Sequence, residues 1–250
     1  MFYLLPLLFP LAALPPLAPA DLETIGRRVW QNEAAGEVSG LTSWNTGEAF
    51  ASLGIGHFIW YPAGPKGPFE ESFPKLLRFL EQKGVRLPDW LKAGSPCPWP
   101  DRAAFLKDEQ SPRLREMREL LRSTVPQQSQ FLAERLEKAL PSILQTLPAS
   151  ERAALQVTFD RLAANPQGRF ALIDYVNFKG EGILPAERYQ AKGWGLLQVL
   201  QAMPQNGTVH DFSQAAAATL RRRVQNAPPE RHEERWLPGW LSRVQDYTKK

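Results

Sequence analysis

The run of residues 29–61, VWQNEAAGEVSGLTSWNTGEAFASLGIGHFIWY, restricts the fold more than any other part of the chain. Just upstream, Leu22, Ile25 and Val29 recur at helical spacing, and Asp21 is placed to cap a helix over residues 21–32. Gly36 and Gly40 supply its stop, because glycine enters the left-handed conformation that ends a helix without a Cβ clash. From residue 40 to residue 61 the pattern changes to β-branched and aromatic residues. Asn45-Thr46-Gly47-Glu48 supplies turn chemistry between two such runs. The spacing therefore predicts one helix feeding a small antiparallel hairpin, with Ser52 to His57 inside its second strand.

After a loop at residues 62–68 (PAGPKGP) the chain reads as helical. Phe73, Leu76, Leu77 and Leu80 share one face of a helix over 69–83. Residues 87–102 form a Pro- and Trp-rich connector, which Trp90 and Trp99 mark as ordered, since their rings would otherwise expose large apolar areas. Further helices are expected over 102–108, 112–124, 127–145, 149–164, 168–178, 193–203, 209–225 and 236–247, with Pro126, Pro141, Pro148, Pro166 and Pro204 at joints or kinks. The fold class expected is α+β, mainly α, with a small β-hairpin after the first helix and a larger helical lobe. Residues 22–68 supply the helix and hairpin, and residues 69–250 the lobe. A chain of 250 residues with 43% hydrophobic and 22% charged residues suits a single domain, here placed at 21–250.

Residues 2–20 carry no charged side chain and close on Ala18-Pro19-Ala20 before Asp21, the small-x-small pattern of a secretory signal peptide over residues 1–20. Prolines at 6, 10, 15, 16 and 19 argue against a retained membrane anchor, because lipid cannot replace the backbone bonds they break. Export is the expectation, to a bacterial periplasm or beyond. Cys97 is the only cysteine, which rules out an internal disulfide and fits a bacterial envelope better than a eukaryotic secretory route. One Cys and three His (57, 210 and 232), far apart in sequence, show no metal-ligand spacing. No cofactor motif is present either: Gly180-Glu181-Gly182 follows no predicted strand and precedes no phosphate-loop lysine. A net charge of +4 biases the surface mildly toward anionic partners. The basic residues are scattered, which disfavours nucleic acid, and the run at 221–223 reads as a solvated helix end beside the carboxylates at 230–234. No later segment is apolar enough to span a bilayer, and a monomer is expected.

Glu33 is the candidate for chemistry. It falls at the C-terminal end of the first helix, where the helix dipole disfavours an anion, and apolar packing against Trp30 and the hairpin aromatics would add desolvation. A carboxylic acid held neutral in this way can protonate a glycosidic oxygen. The bland alternative is a surface glutamate in an ordinary last turn. The hairpin shifts the balance: a hydroxyl at Ser52 and glycines at 54 and 56 suit close approach of a ligand. Asn45, Thr46 and Ser52 offer hydrogen bonds for sugar hydroxyls, and Trp44, Phe50, Phe58 and Trp60 offer faces for sugar rings. Strand alternation separates Ser52, Gly54 and Gly56 from Leu53, Ile55 and His57. His57 reads as a satisfied, partly buried histidine.

These residues resemble a family. A helix ending in Glu33, a glycine, a hairpin and then Ser-Leu-Gly-Ile-Gly-His (52–57) is similar to the phage-type lysozymes, whose hairpin runs into a T-x-G-x-G-H strand. The resemblance covers residues 22–60. It implies a lysozyme-like fold with a cleft between the β-element and the helical lobe, peptidoglycan or a related glycan as partner, and cleavage of its β-1,4 bonds with Glu33 as general acid. Ser52 stands where the family has its active-site threonine. Asn45 stands near the place of the family's aspartate, and an amide cannot act as a base. Glu48, in the turn, is one replacement. Glu37 would give a spacing to the strand closer to the family's, but Gly36 should end the helix before it. With one carboxyl alone, a lytic transglycosylase mechanism becomes available, in which a hydroxyl of the sugar itself closes an anhydro ring. A non-catalytic glycan- or protein-binding module of the same architecture is the competing reading.

Residues 171–201 form a second polar concentration. Tyr175, Asn177, Lys179, Glu181, Glu187, Arg188, Tyr189 and Gln190 crowd a Gly-rich connection between two apolar helices. Here Glu181 is a candidate second carboxylate, with Lys179 as its charge partner. Tyr175, Glu181, Tyr189 and Gln190 are candidate substrate contacts. A connection held by salt bridges is the structural alternative.

Overall fold

Proline and short polar caps set most of the helix boundaries. In the computed structural model, which describes residues 14–249, α1 (Pro19–Ala34) starts with a proline at its first position, where the missing N–H is not needed. Asp21 lies in the first turn rather than capping it. The expected leader falls partly outside the described residues. Its described remainder carries Leu14 and Leu17, which pack against the core, and α1 runs across the expected cleavage point. At its other end α1 closes on Ala35 in the left-handed region (φ 52°), followed by Gly36 (φ 73°).

The hairpin is a three-stranded antiparallel sheet in the order β1 (Thr42–Ser43), β2 (Ala51–Leu53), β3 (Phe58–Trp60), with Thr42 opposite Leu53 and Ser52 opposite Ile59. The expected long second strand is thus cut in two. Residues 54–57 form a turn in which Gly54 has φ +73° and His57 φ +47°. The turn has its own hydrogen bonds: the Ile55 N–H donates to Oε1 of Gln128, itself fully buried, at 3.0 Å, and the Gly54 N–H donates to the Leu41 carbonyl at 2.8 Å. Once these amides are taken, strand alternation ends at Leu53.

The helical lobe follows the predicted order. It comprises α2 (Phe73–Gln82), α3 (Arg102–Lys107), α4 (Pro112–Ser123), α5 (Val125–Gln145), α6 (Ala149–Ala163) and α7 (Pro166–Lys179). A two-stranded hairpin, β4 (Arg188–Tyr189) and β5 (Lys192–Gly193), then precedes α8 (Leu196–Ala202), α9 (Val209–Asn226) and α10 (Leu237–Gln245). Asp101, Ser111, Asn165 and Thr208 cap α3, α4, α7 and α9 by accepting from backbone N–H groups three residues on. Pro141, expected at a joint or kink, lies inside α5. No glycine marks the β4–β5 turn in the sequence: its central residues, Gln190 and Ala191, take φ of 49° and 62°.

One buried apolar cluster joins the β-element to the lobe. It runs from Ile25 and Val29 of α1 through Leu53, Phe58 and Trp60 of the sheet to α5 and α7. The connector is ordered as expected: Trp99 is 3% exposed and packs edge-on against Trp60, Trp90 and Phe105. Cys97 is buried beside it, and burial pushes its thiol up to about 12. Among the described residues no helix is long and apolar enough to cross a membrane. The molecule is α+β and mainly helical.

A Cβ at residue 54 would stand 2.4 Å from Gln128 Oε1 and 3.0 Å from the Phe58 ring, on a backbone that disfavours any side chain. Gly54→Ala is therefore expected to cost about 2–4 kcal/mol, combining left-handed strain with damage to the Ile55–Gln128 bond. Chemical denaturation would measure it, and an unchanged midpoint would contradict this role for the turn.

Candidate functional site

Glu33 lies on the last turn of α1 with its side chain 14% exposed. Three elements converge on its carboxylate. Arg243 of α10 donates from Nη2 to Oε1 at 2.6 Å, and Asn177 of α7 donates from Nδ2 to the same oxygen at 3.3 Å. Nδ1 of His57, at the end of the 54–57 turn, lies 3.4 Å from Oε2. Asn177 Nδ2 also reaches the Gly56 carbonyl at 3.3 Å, which ties α7 to the turn. The expected surroundings of Glu33 were apolar. Its contacts are instead a guanidinium, an amide and an imidazole, so a helix end and aromatic neighbours do not by themselves define its environment.

Behind Glu33 sits a wholly buried carboxylate, Asp174 of α7. Arg243 grips it with two bonds, Nε to Oδ2 and Nη2 to Oδ1, both 2.8 Å. The Tyr247 hydroxyl donates to Oδ2 at 2.6 Å, and Asn32 donates from Nδ2 to Oδ1 at 3.2 Å. Burial opposes the charge on Arg243, but the carboxylates of Asp174 and Glu33 overcome it and hold the guanidinium well above its usual value. Burial, reinforced by the Asp174 charge, also keeps the Tyr247 phenol protonated, with its value well above normal. Asp174 therefore accepts from three side chains in a site closed to solvent. It has no free role as a base.

The second polar segment forms a separate cluster. Glu233, 1% exposed, accepts two bonds from Arg223 at 2.8 and 2.7 Å and one from the Tyr189 hydroxyl at 2.9 Å. Burial works against its charge, but the Arg223 contacts prevail and hold its value below that of a free glutamate. The Tyr175 ring is completely buried and its hydroxyl donates to the Trp194 carbonyl, so it cannot touch a ligand. Tyr189 is committed to Glu233, and Gln190, exposed at the β4–β5 turn, makes a 3.5 Å contact with the Asn226 carbonyl. Lys179 is not the charge partner of Glu181. Its amine lies 3.5 Å from the Trp240 ring centre and 3.8 Å from that of Phe178, with no carboxylate in ion-pair range among the described residues. Glu181 is half-buried, and that burial raises its value.

The hairpin candidates fall into two groups. Asn45 and Thr46 are exposed on the turn, where Asn45 donates to the Glu48 carboxylate at 3.1 Å. Trp44, expected to stack on sugars, is 4% exposed, donates to the Glu48 carbonyl and packs its ring toward Phe105, 5.8 Å away. Phe50, Phe58 and Trp60 are core residues as well. Ser52 is 3% exposed in the central strand. Among the described residues, neither Asn45, Glu48, Ser52 nor Glu181 hydrogen-bonds to Glu33; the residues that do, Arg243 and Asn177, come from the far lobe. Sequence spacing could have singled out Asp174 and Asn177, which share a face three residues apart on a helix. Arg243, 210 residues from Glu33, carries no local signal.

Lys179 supplies a measurable consequence. Burial, followed by the charges of Arg223 and Arg243, holds its value well below that of a free lysine. The unfolded chain thus binds more protons here than the folded one, so folding is penalised at neutral pH, and the penalty fades as pH rises toward about 10.4. Lys179→Met should raise the unfolding midpoint at pH 7, and the gain should shrink by pH 10. A gain independent of pH would contradict the assignment.

Comparison of this chain with known protein families, with curated proteins and with solved structures finds no match.

Proposed function

We propose that this protein is a lysozyme-like, peptidoglycan-cleaving glycosidase of the bacterial envelope, exported and monomeric, with Glu33 as its acid. One observation carries the reading. Glu33 is a partly exposed carboxyl at the junction of α1, the 54–57 turn and α7, and it is positioned by a guanidinium whose charge a second carboxylate, Asp174, already balances. Asp174 takes two of the Arg243 bonds, so the guanidinium is held in place independently of its contact with Glu33.

Asp174 is sealed, and the groups that meet the Glu33 carboxylate are a guanidinium, an amide and an imidazole, so we take the chemistry to be that of one carboxyl. Glu33 gives its proton to the glycosidic oxygen as the bond to the anomeric carbon breaks. The resulting carboxylate then takes the proton of a hydroxyl on the same sugar as that oxygen attacks the anomeric carbon. The product is an anhydro sugar, the lytic transglycosylase outcome. A water in place of that hydroxyl would give hydrolysis. The 2.6 Å contact to Arg243 favours a second reading, a glycan-binding module in which Glu33 stays an anion.

Glu33→Gln separates the two. It preserves size and a hydrogen-bond acceptor for Arg243 while removing the proton. Clearing of purified sacculi by the wild type, with anhydro ends detected by mass spectrometry and at least a hundredfold loss in Glu33→Gln, is the expected result. Equal clearing by the variant would remove Glu33 from the chemistry. Sacculus binding by the wild type without any product would leave the binding module.

A further inference from the structure

One face of α10 leads away from Glu33. Trp236, at the helix start, and Trp240, one turn on, lie nearly parallel, with ring centres 6.1 Å apart and 29° between their planes. Trp236 is 42% exposed and Trp240 is half-buried. Three residues further on, Arg243 holds Glu33. The path between them is continuous: Arg243 lies 4.1 Å over the Phe178 ring, and the Lys179 amine fills the gap between Phe178 and Trp240. From Trp236 to Arg243 the helix rises about 10 Å, the reach of a short saccharide rather than of one ring.

The charges on this face are unequal. Arg223 has Glu233, and Arg243 has Asp174 and Glu33. Arg235, exposed and stacked 4.4 Å over Trp236, has no carboxylate in ion-pair range among the described residues, and neither has Lys179. Glu234, beside Arg235 in the chain, lies 3.4 Å from His232 instead. Trp236, exposed and carrying the uncompensated guanidinium of Arg235, offers apolar ring surface for the C–H side of a pyranose together with a preference for negative charge, while the buried Lys179 backs Trp240.

We propose that Trp236 and Trp240, with Arg235, form a saccharide subsite adjoining Glu33 that takes a sugar bearing a carboxylate. The proposal rests on the reading of Glu33 as the acid of a glycan-cleaving site, and extends it by placing the bound glycan along α10. The tryptophans supply stacking, and Arg235 selects an acidic sugar over a neutral one.

The test uses the full-length Glu33→Gln protein, so that ligand is not consumed. Two soluble probes are titrated by calorimetry: an oligosaccharide of alternating N-acetylglucosamine and N-acetylmuramic acid, and neutral chitotetraose. The parent should bind the carboxylate-bearing probe more tightly. Trp236→Ala should weaken both probes about 3- to 10-fold, and Trp236→Phe should recover part of that loss. Arg235→Ala should weaken only the acidic probe, about 2- to 5-fold. Both side chains are exposed, and circular dichroism checks that the variants fold. Absence of binding by the parent, unchanged affinity in Trp236→Ala, or equal loss of both probes in Arg235→Ala would each overturn the subsite. Sacculus clearing by the wild type is scored separately. No clearing with Trp236-dependent binding sinks the catalytic reading alone, whereas clearing with Trp236-independent binding sinks the subsite alone.

Discussion

A buried guanidinium ties α1 to α7 and α10, beside the bonds that Arg28 makes to the Asp246 and Lys249 carbonyls. Arg243 of α10 contacts Glu33 at the end of α1 and Asp174 near the end of α7, and it is 9% exposed. Burying such a charge costs several kcal/mol unless partners surround it, and removing one partner of a buried pair typically costs about 3–5 kcal/mol. The surroundings meet that demand. Asp174 offers both oxygens to Arg243 and fills its remaining capacity with Tyr247 and Asn32. The orientation of Glu33 therefore depends on a helix that lies more than 200 residues away in sequence. Any site at the end of α1 exists only once α10 has docked.

The β-element contributes to the same junction from the opposite side. Its 54–57 turn is pinned from below by Gln128 through Ile55 and from above by Asn177 through Gly56. The pinning brings His57, in a left-handed conformation uncommon outside glycine, beside the Glu33 carboxylate. Strain of this kind persists where surrounding contacts over-determine it. Gln128 does that from within the core: its amide also donates to the Leu121 carbonyl and to the Thr124 hydroxyl, so the acceptor that Ile55 uses is fixed.

Periodicity made the helices legible. Short proline- and Ser/Asp/Asn-capped starts and apolar faces such as Phe73, Leu76, Leu77 and Leu80 placed nearly every helix, because those signals are local. The place of Glu33 at the end of α1 was equally legible, since a glutamate before glycines and a hairpin is a local pattern. The hairpin register was less so. The Gly54–His57 break depends on Gln128, 73 residues from Ile55, which no strand pattern reveals. Aromatic residues misled for a related reason. Trp44 and Trp60 in a polar hairpin read as ligand platforms, yet a sheet this small buries one face against the lobe and spends its large rings on the core. The exposure of Trp236 and Trp240 is not legible in the sequence, because only packing decides which rings remain outside.

Lys179 shows where folding alone does not account for the side chain. A lysine amine 3.5 and 3.8 Å from two aromatic ring centres gains about 2 kcal/mol from their π faces once desolvated. Against that stand its own burial and the like charges of Arg223 and Arg243, which together depress its ionisation. Glu33 and Glu233 act in its favour, but neither is in ion-pair contact with it. Methionine or leucine would fill the same slot between Phe178 and Trp240 with no such penalty. Positions that break a local rule without a structural gain concentrate at functional sites. This one lies between Glu33 and the exposed ring of Trp236.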